Sequence, residues 1–282
     1  MTKLEQLIDE LSAEPDAKKL GKKAERAVNY LLDSLEAGDV RAATRDSRGQ
    51  WSAVPWVKRG ILLGFRIGRI ERVYPPYGMS AFSFVDKHTF PTRTFTKRDG
   101  VRIVPGGSTV RRGAHLASGV VCMPPMYVNV GAYVGAQSMI DSHALVGSCA
   151  QIGERVHLSA AAQIGGVLEP VNASPVIIED DALVGGNCGV YEGTVVRRKA
   201  VLAAGVVLTR GTPVYDLVKE RVIRGSADTP LEIPEAAVVV PGARAVSTGW
   251  GQEHGISLQT PVIVKYRDEK TDVATALEAW LR

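Results

Sequence analysis

From Val104 onward one aliphatic residue returns every six positions, a period that few folds accept. Val104, Val110, Leu116, Cys122, Val128, Val134, Ile140, Val146, Ile152, Leu158 and Ile164 share one register, with Cys122 its weakest member. Ile178, Val184, Val190, Val196, Leu202 and Leu208 share a second. In an α-helix, at about 3.6 residues per turn, a six-residue period would scatter these side chains around the axis. Three six-residue units, each giving one short strand and one turn, instead close a triangular coil around the repeated side chain. The seventeen positions therefore predict about six coils of a parallel β-helix.

Gly131, Gly147, Gly153, Gly165 and Gly185 lie beside register positions, where turns of positive φ are expected. Fourteen residues separate Ile164 from Ile178, so GGVLEPVNASP is expected to loop out near residues 166–175. Loops on a rigid scaffold are frequent binding elements. Upstream, Leu4, Leu7, Ile8 and Leu11 fall on one helical face, and Ala27, Tyr30, Leu31 and Leu35 on another. Gly38 reads as a helix stop and Pro55 as the opening of a third helix. AAVVVPGAR and PVIVKYR read as late strands, and VATALEAWLR as a short final helix. The expected organisation is a helical domain over 1–100, a β-helix over 101–212 and a small β region over 213–282 that caps the last coil.

Apolar residues at 45% and charged residues at 23% describe an ordinary soluble chain, and no apolar run approaches the ~20 residues of a membrane span. The acidic, amphipathic start lacks the basic-then-apolar order of an export signal, which predicts a cytoplasmic location. The net charge of +4 is dispersed and aromatics make up only 6%, so a nucleic-acid partner is not expected and small anionic ligands suit the charge better. Three scattered cysteines form neither a disulfide framework nor a CxxC site. The histidines lack metal-ligand spacing, and no metal is assigned.

Four segments carry a resemblance: VRIVPGGSTVRRGAH, MYVNVGAYVGAQSMIDSHALVGSCAQIGERVHLS, IGGVLEPVNASPVIIED and VIVKYRDEKT. In these, and along nearly the whole chain, the sequence resembles the tetrahydrodipicolinate N-succinyltransferase family of the succinylase route to diaminopimelate and lysine. The run VGSCAQIG with IGGVLEP is its most specific part. The resemblance implies a left-handed β-helix with an N-terminal helical domain. It also implies a homotrimer with active sites between subunits, and a coenzyme A thioester, succinyl-CoA or acetyl-CoA, as co-substrate.

By the same resemblance Asp141, in MIDSHALVG, corresponds to an aspartate that binds the substrate amine and accepts its proton. An ammonium cannot attack a thioester, so a base is required. The alternative is a turn aspartate that satisfies backbone N–H groups. Arg102 corresponds to an arginine for a substrate carboxylate, which a guanidinium grips with two parallel hydrogen bonds. Asn129 and Ser148 match polar substrate-binding positions, and Gly166, Gly185 and Ala204 match places where the cofactor arm approaches the backbone. Small residues are equally what tight coils need.

The resemblance fails locally. Where the family reads G-A-R-S-E-V-V-E-G, this chain runs Gly185-Gly186-Asn187-Cys188-Gly189-Val190-Tyr191-Glu192-Gly193, so Asn187 replaces an arginine and Gly189 a glutamate. His143 stands where tryptophan is usual, and if the strand is regular it points the same way as Asp141, as a second candidate base. Three functions remain open: succinyl transfer to tetrahydrodipicolinate, acyl transfer by a specialised paralogue similar to the tabtoxin-pathway acyltransferase, and a non-catalytic trimeric binding scaffold.

Overall fold

The computed structural model describes residues 2–73 and 84–268. The expected helix over VATALEAWLR lies outside the described residues.

Seventeen two-residue strands run from Arg102–Ile103 to Val207–Leu208 and stack in three parallel sheets. Within the regular coils a strand pairs with the one eighteen residues away, as in Val110 with Val128 and Val134 with Ile152, and the loop-out widens this to twenty-six, as in Ile152 with Ile178. The second residue of each strand points inward, and the positions from Val110 to Leu208 form one continuous buried core. This is the parallel β-helix expected from the register, and a left-handed coil fits its three parallel sheets.

Two details differ from expectation. At the first coil Ile103, not Val104, aligns with Cys122, so that turn holds one extra residue. Among the five glycines flagged for positive φ only Gly131 has it, at 76°. The left-handed position instead falls three residues after most inward residues, and non-glycines fill it at Gln137, His143, Cys149, Arg155, Ala161, Asp181, Asn187 and Lys199. Gly147, Gly153 and Gly185 meet a different need, because a Cβ on any of them would press into the backbone or an aspartate of the adjacent coil.

The three faces differ in length and cover. One six-stranded sheet, from Thr109–Val110 to Val207–Leu208, carries the loop-out between Ile164 and Ile177 and is called the loop face. The other, from His115–Leu116 to Glu232–Ile233, packs under the hairpin Ala43–Arg45/Trp51–Ala53 and is called the hairpin face. There Arg41 stacks 3.7 Å over the Tyr133 ring, and Trp51 donates to Glu179 at 2.8 Å. The third, long face has ten strands: beyond its six coil strands, Ala237–Ala245 extends it in parallel, Ser257–Tyr266 pairs antiparallel with that, and Val214–Asp216 and Arg221–Ile223 complete the edge. Coil stacking thus continues past residue 213, and the strands expected from AAVVVPGAR and PVIVKYR cover the end of the solenoid.

The N-terminal helices are α1 (Lys3–Ala13), α2 (Ala17–Ala37) and α3 (Pro55–Ile67). Thr2 and Glu5 form a reciprocal capping box on α1, and Gly38 ends α2 at φ 83°. Pro55 opens α3, where its missing N–H costs nothing. Ile8, Leu11, Val28, Leu31, Leu32, Leu35 and Ile61 meet in a second core. Tyr30, expected on the buried face of α2, is 62% exposed because that face centres on Val28, Leu31 and Leu35.

Candidate active site

The candidate residues divide between two faces. Arg102, Asp141, Gly185 and Ala204 belong to strands of the long face or follow them directly. Asn129, Ser148 and Gly166 follow strands of the loop face. One chain alone does not bring the two groups together.

On the long face, Asp141 leaves the strand Met139–Ile140 with its side chain half-buried. Its Oδ1 accepts the Ser142 amide at 2.7 Å, which is the turn role, while Oδ2 lies 3.8 Å from His157 Nε2. The two roles coexist because a carboxylate has two oxygens. His157 pairs with Met139 in the next coil, which places its outward ring beside Asp141. It carries no motif of its own in the sequence, but one coil of eighteen residues links position 157 to 139, two residues from Asp141. Register arithmetic finds it where local reading does not.

His143 does not join this pair through strand alternation. The strand ends at Ile140, and His143 is an exposed turn residue at φ 62° whose backbone N–H donates to the Pro125 carbonyl. Of the remaining histidines, His115 is held by the Glu36 carbonyl at 2.8 Å and stacks on Tyr133. Its imidazole pKa is lowered first by burial, with Arg93 and Arg41 nearby adding to the effect. Its role is structural.

Arg102 is exposed at the outer strand of the long face. Asn129 turns its Oδ1 to the Val130 amide at 2.8 Å. A Cβ on Gly166 would lie 2.6 Å from Ser148 N, and one on Gly185 equally near Ala204 N. The small residues at 166 and 185 are therefore explained by coil packing, and whatever room they leave for a ligand is secondary. All three cysteines are buried, and burial pushes the Cys122 and Cys149 thiols up to about 12, which removes them as nucleophiles. Among the described residues no three His, Cys, Asp or Glu side chains converge as a metal site, and no helix is long and apolar enough to cross a membrane.

The loop-out borders a cavity of about 710 Å³ on the loop face, lined by Gly166, Val167, Glu169, Tyr191 and Arg210 among others. Lys58 of α3, fully buried, donates to the Ala173 carbonyl at 2.5 Å, and Leu168 packs against the helical core. The helices thereby hold the loop from behind. Asn187, in the turn between the strands Leu183–Val184 and Gly189–Val190, occupies the left-handed position at φ 56°, a conformation asparagine accepts readily. Gly189 lies under Tyr191, whose ring carbon Cε2 would be 2.5 Å from a Cβ at 189.

Comparison with known proteins decides the family. Residues 3–67 match the profile described as the N-terminal region of tetrahydrodipicolinate N-succinyltransferase, and residues 175–210 that of the hexapeptide repeat of succinyl-transferase. A 2,3,4,5-tetrahydropyridine-2,6-dicarboxylate N-succinyltransferase of Rhodopseudomonas palustris is 43% identical over 258 residues, 91% of this chain and 89% of its own. The enzyme of the same name from Bradyrhizobium diazoefficiens is also 43% identical, with the same coverage. The chain belongs to the tetrahydrodipicolinate N-succinyltransferase family. A solved structure of a putative 2,3,4,5-tetrahydropyridine-2-carboxylate N-succinyltransferase from Campylobacter jejuni is 18% identical, covering 89% of this chain and 64% of its own, with a TM-score of 0.45. Within the N-succinyltransferase family frame, the changes at 187 and 189 have separate physical settings: one is a turn residue, the other lies beneath an aromatic ring.

Proposed function

We propose that this chain transfers the succinyl group of succinyl-CoA to the ring nitrogen of tetrahydrodipicolinate. The observation that carries this reading is the match along 91% of the chain to enzymes named for that transfer. Water adds across the ring C=N bond, so that the acceptor nitrogen carries a hydrogen; that nitrogen attacks the thioester carbonyl, the new C–N bond forms as the C–S bond breaks, the nitrogen gives up its proton, and CoA leaves as the thiol. Asp141, with His157 beside its free-facing oxygen, is positioned to take the proton that the nitrogen must lose. Arg102 holds a substrate carboxylate at the end of the same face.

The division of candidate residues between two faces supports a homotrimer, in which the long face of one subunit meets the loop face of another. A second reading, a paralogue that prefers acetyl-CoA, is favoured by the Tyr191 ring lying where a family glutamate would project. A donor-by-acceptor matrix of initial rates decides between them, and the expected best pair is succinyl-CoA with tetrahydrodipicolinate. A chain that uses acetyl-CoA better establishes the second reading, and one inactive with every pair leaves only the binding scaffold.

A further inference from the structure

Among the described residues, Arg210 is the cation that borders cavities on both sides of the loop-out. It lines the 710 Å³ cavity and also a neighbouring one of about 410 Å³ that includes Trp51, Asn172 and Asp228, with Pro170 and Ala173 as the wall between them. Its backbone is fixed by a turn in which the Thr209 amide and hydroxyl both meet Thr212 Oγ1, and by its own N–H donating to Glu192 Oε2 at 3.1 Å. Its stem is closed in by Gly225, where a Cβ would lie 3.0 Å from Arg210 Cγ.

The guanidinium, in contrast, is poorly served. Nε is buried with no acceptor, and Nη1 reaches only the Ala227 carbonyl at 3.4 Å. Among the described residues no carboxylate pairs with it: Glu169 and Glu192 line the same cavity but are exposed, and Glu192 is engaged by the backbone. A buried N–H without an acceptor is costly, and a planar fork with free donors matches a carboxylate or phosphate. The fold has fixed the arm and left the hand empty at the rim of the cavity that the loop encloses.

We propose that Arg210 recognises an anionic group of the acyl-CoA donor in this cavity. The proposal rests on the acyltransferase reading above. The anion is either the terminal carboxylate of the acyl group or a phosphate of CoA, and three donors separate these: succinyl-CoA, acetyl-CoA and S-succinylpantetheine, which lacks the phosphates.

The test compares kcat/KM for each donor in wild type, Arg210→Met, which keeps the stem, and Arg210→Lys, which keeps the charge but not the fork. With succinyl-CoA, Arg210→Met is expected to lose roughly 10- to 150-fold and Arg210→Lys to recover part of that. A loss that spares acetyl-CoA identifies the acyl carboxylate; a loss that spares S-succinylpantetheine identifies a phosphate. An equal loss with all three donors means a structural role and overturns the proposal, as does no loss with any. If Arg210→Met fails to fold by circular dichroism, Arg210→Gln, which keeps most of the stem and a neutral N–H, is judged by the same pattern. A wild type inactive with all three donors overturns the acyltransferase reading and this proposal together, whereas an active wild type with flat Arg210 variants overturns this proposal alone.

Discussion

The coils and the N-terminal helices bury comparable apolar side chains by opposite means. In the β-helix one rule is applied again and again: the second residue of each strand points inward and meets its counterparts one coil above and below. In α1–α3 every contact is made once. Gly60 exists for the sake of Leu31, whose Cδ2 leaves no room for a Cβ there, and Gly64 for Phe90. Repetition gives rigidity and an outward surface that is cheap to vary, and single contacts give placement. The candidate site uses both, with Asp141 and His157 supplied by adjacent regular coils and the irregular loop pinned by a lysine from α3.

The comparison breaks if the chemistry does not reside on the regular coils. Asp141→Asn is expected to lower kcat about 10²- to 10⁴-fold, since the amide cannot accept the amine proton. The Asn oxygen still takes the Ser142 amide, so the melting temperature is expected to stay within a few degrees. Stopped-flow or steady-state rates beside a thermal melt check both halves. Near-normal rates would return Asp141 to a turn role and leave His157 without a task.

A smaller effect tests the placing role of the helices. Lys58 is fully buried, and burial pushes its ammonium below the ordinary lysine range, with the nearby Cys149 thiol opposing the shift. Its bond to the Ala173 carbonyl ties α3 to the loop. Lys58→Met keeps the length of the side chain and removes the bond, so KM for the acyl-CoA donor is expected to rise roughly 3- to 10-fold with kcat little changed. Titration of donor at saturating acceptor measures it. A fall in kcat with KM unaltered would mean that the lysine supports the reacting centre and not the loop.

The same contrast explains how far the sequence could be read. The six-residue register was legible from Val110 to Leu208 because one geometric demand recurs, and a demand met many times leaves a pattern in a single chain. Asp141 entered as a candidate through the resemblance alone, and the structure adds its neighbour His157. His157 was not legible, because its neighbour is one coil away and nothing local distinguishes it from any other outward histidine. The glycines misled for a related reason: Gly147 and Gly185 answer the close approach of the next coil, which is a property of stacking, while the left-handed turns accept Gln137, Arg155 and Lys199. The settings of Lys58 and Arg210 were invisible in the sequence, since each lies against a loop whose path no periodicity encodes.

The smallest expected effect concerns Gly189 and Tyr191, where the repeat meets the cavity. Gly189 is an outward strand position, so the coil itself would accept a side chain there; what forbids it is the Tyr191 ring, with its Cε2 at 2.5 Å and its hydroxyl at 3.0 Å from the place of a Cβ. Gly189→Glu alone must push the ring aside, which is expected to destabilise by about 1–3 kcal/mol as overpacking does. The obstacle is the far end of a side chain and no backbone need move, so the cost should fall near the lower end. Tyr191→Val removes the ring, and in that background Gly189→Glu is expected to be nearly neutral, giving a coupling of about 1 kcal/mol by a double-mutant cycle in urea. Donor preference measured on the same four proteins then separates sterics from chemistry. If the double variant gains succinyl-CoA over acetyl-CoA relative to the wild type, the ring limits the donor site; if stability couples but preference does not, Tyr191 is packing for the coil and donor choice is set elsewhere along the loop. Additive stabilities would mean that the ring already swings clear, and the regular coil would then tolerate substitution even at the border of the site.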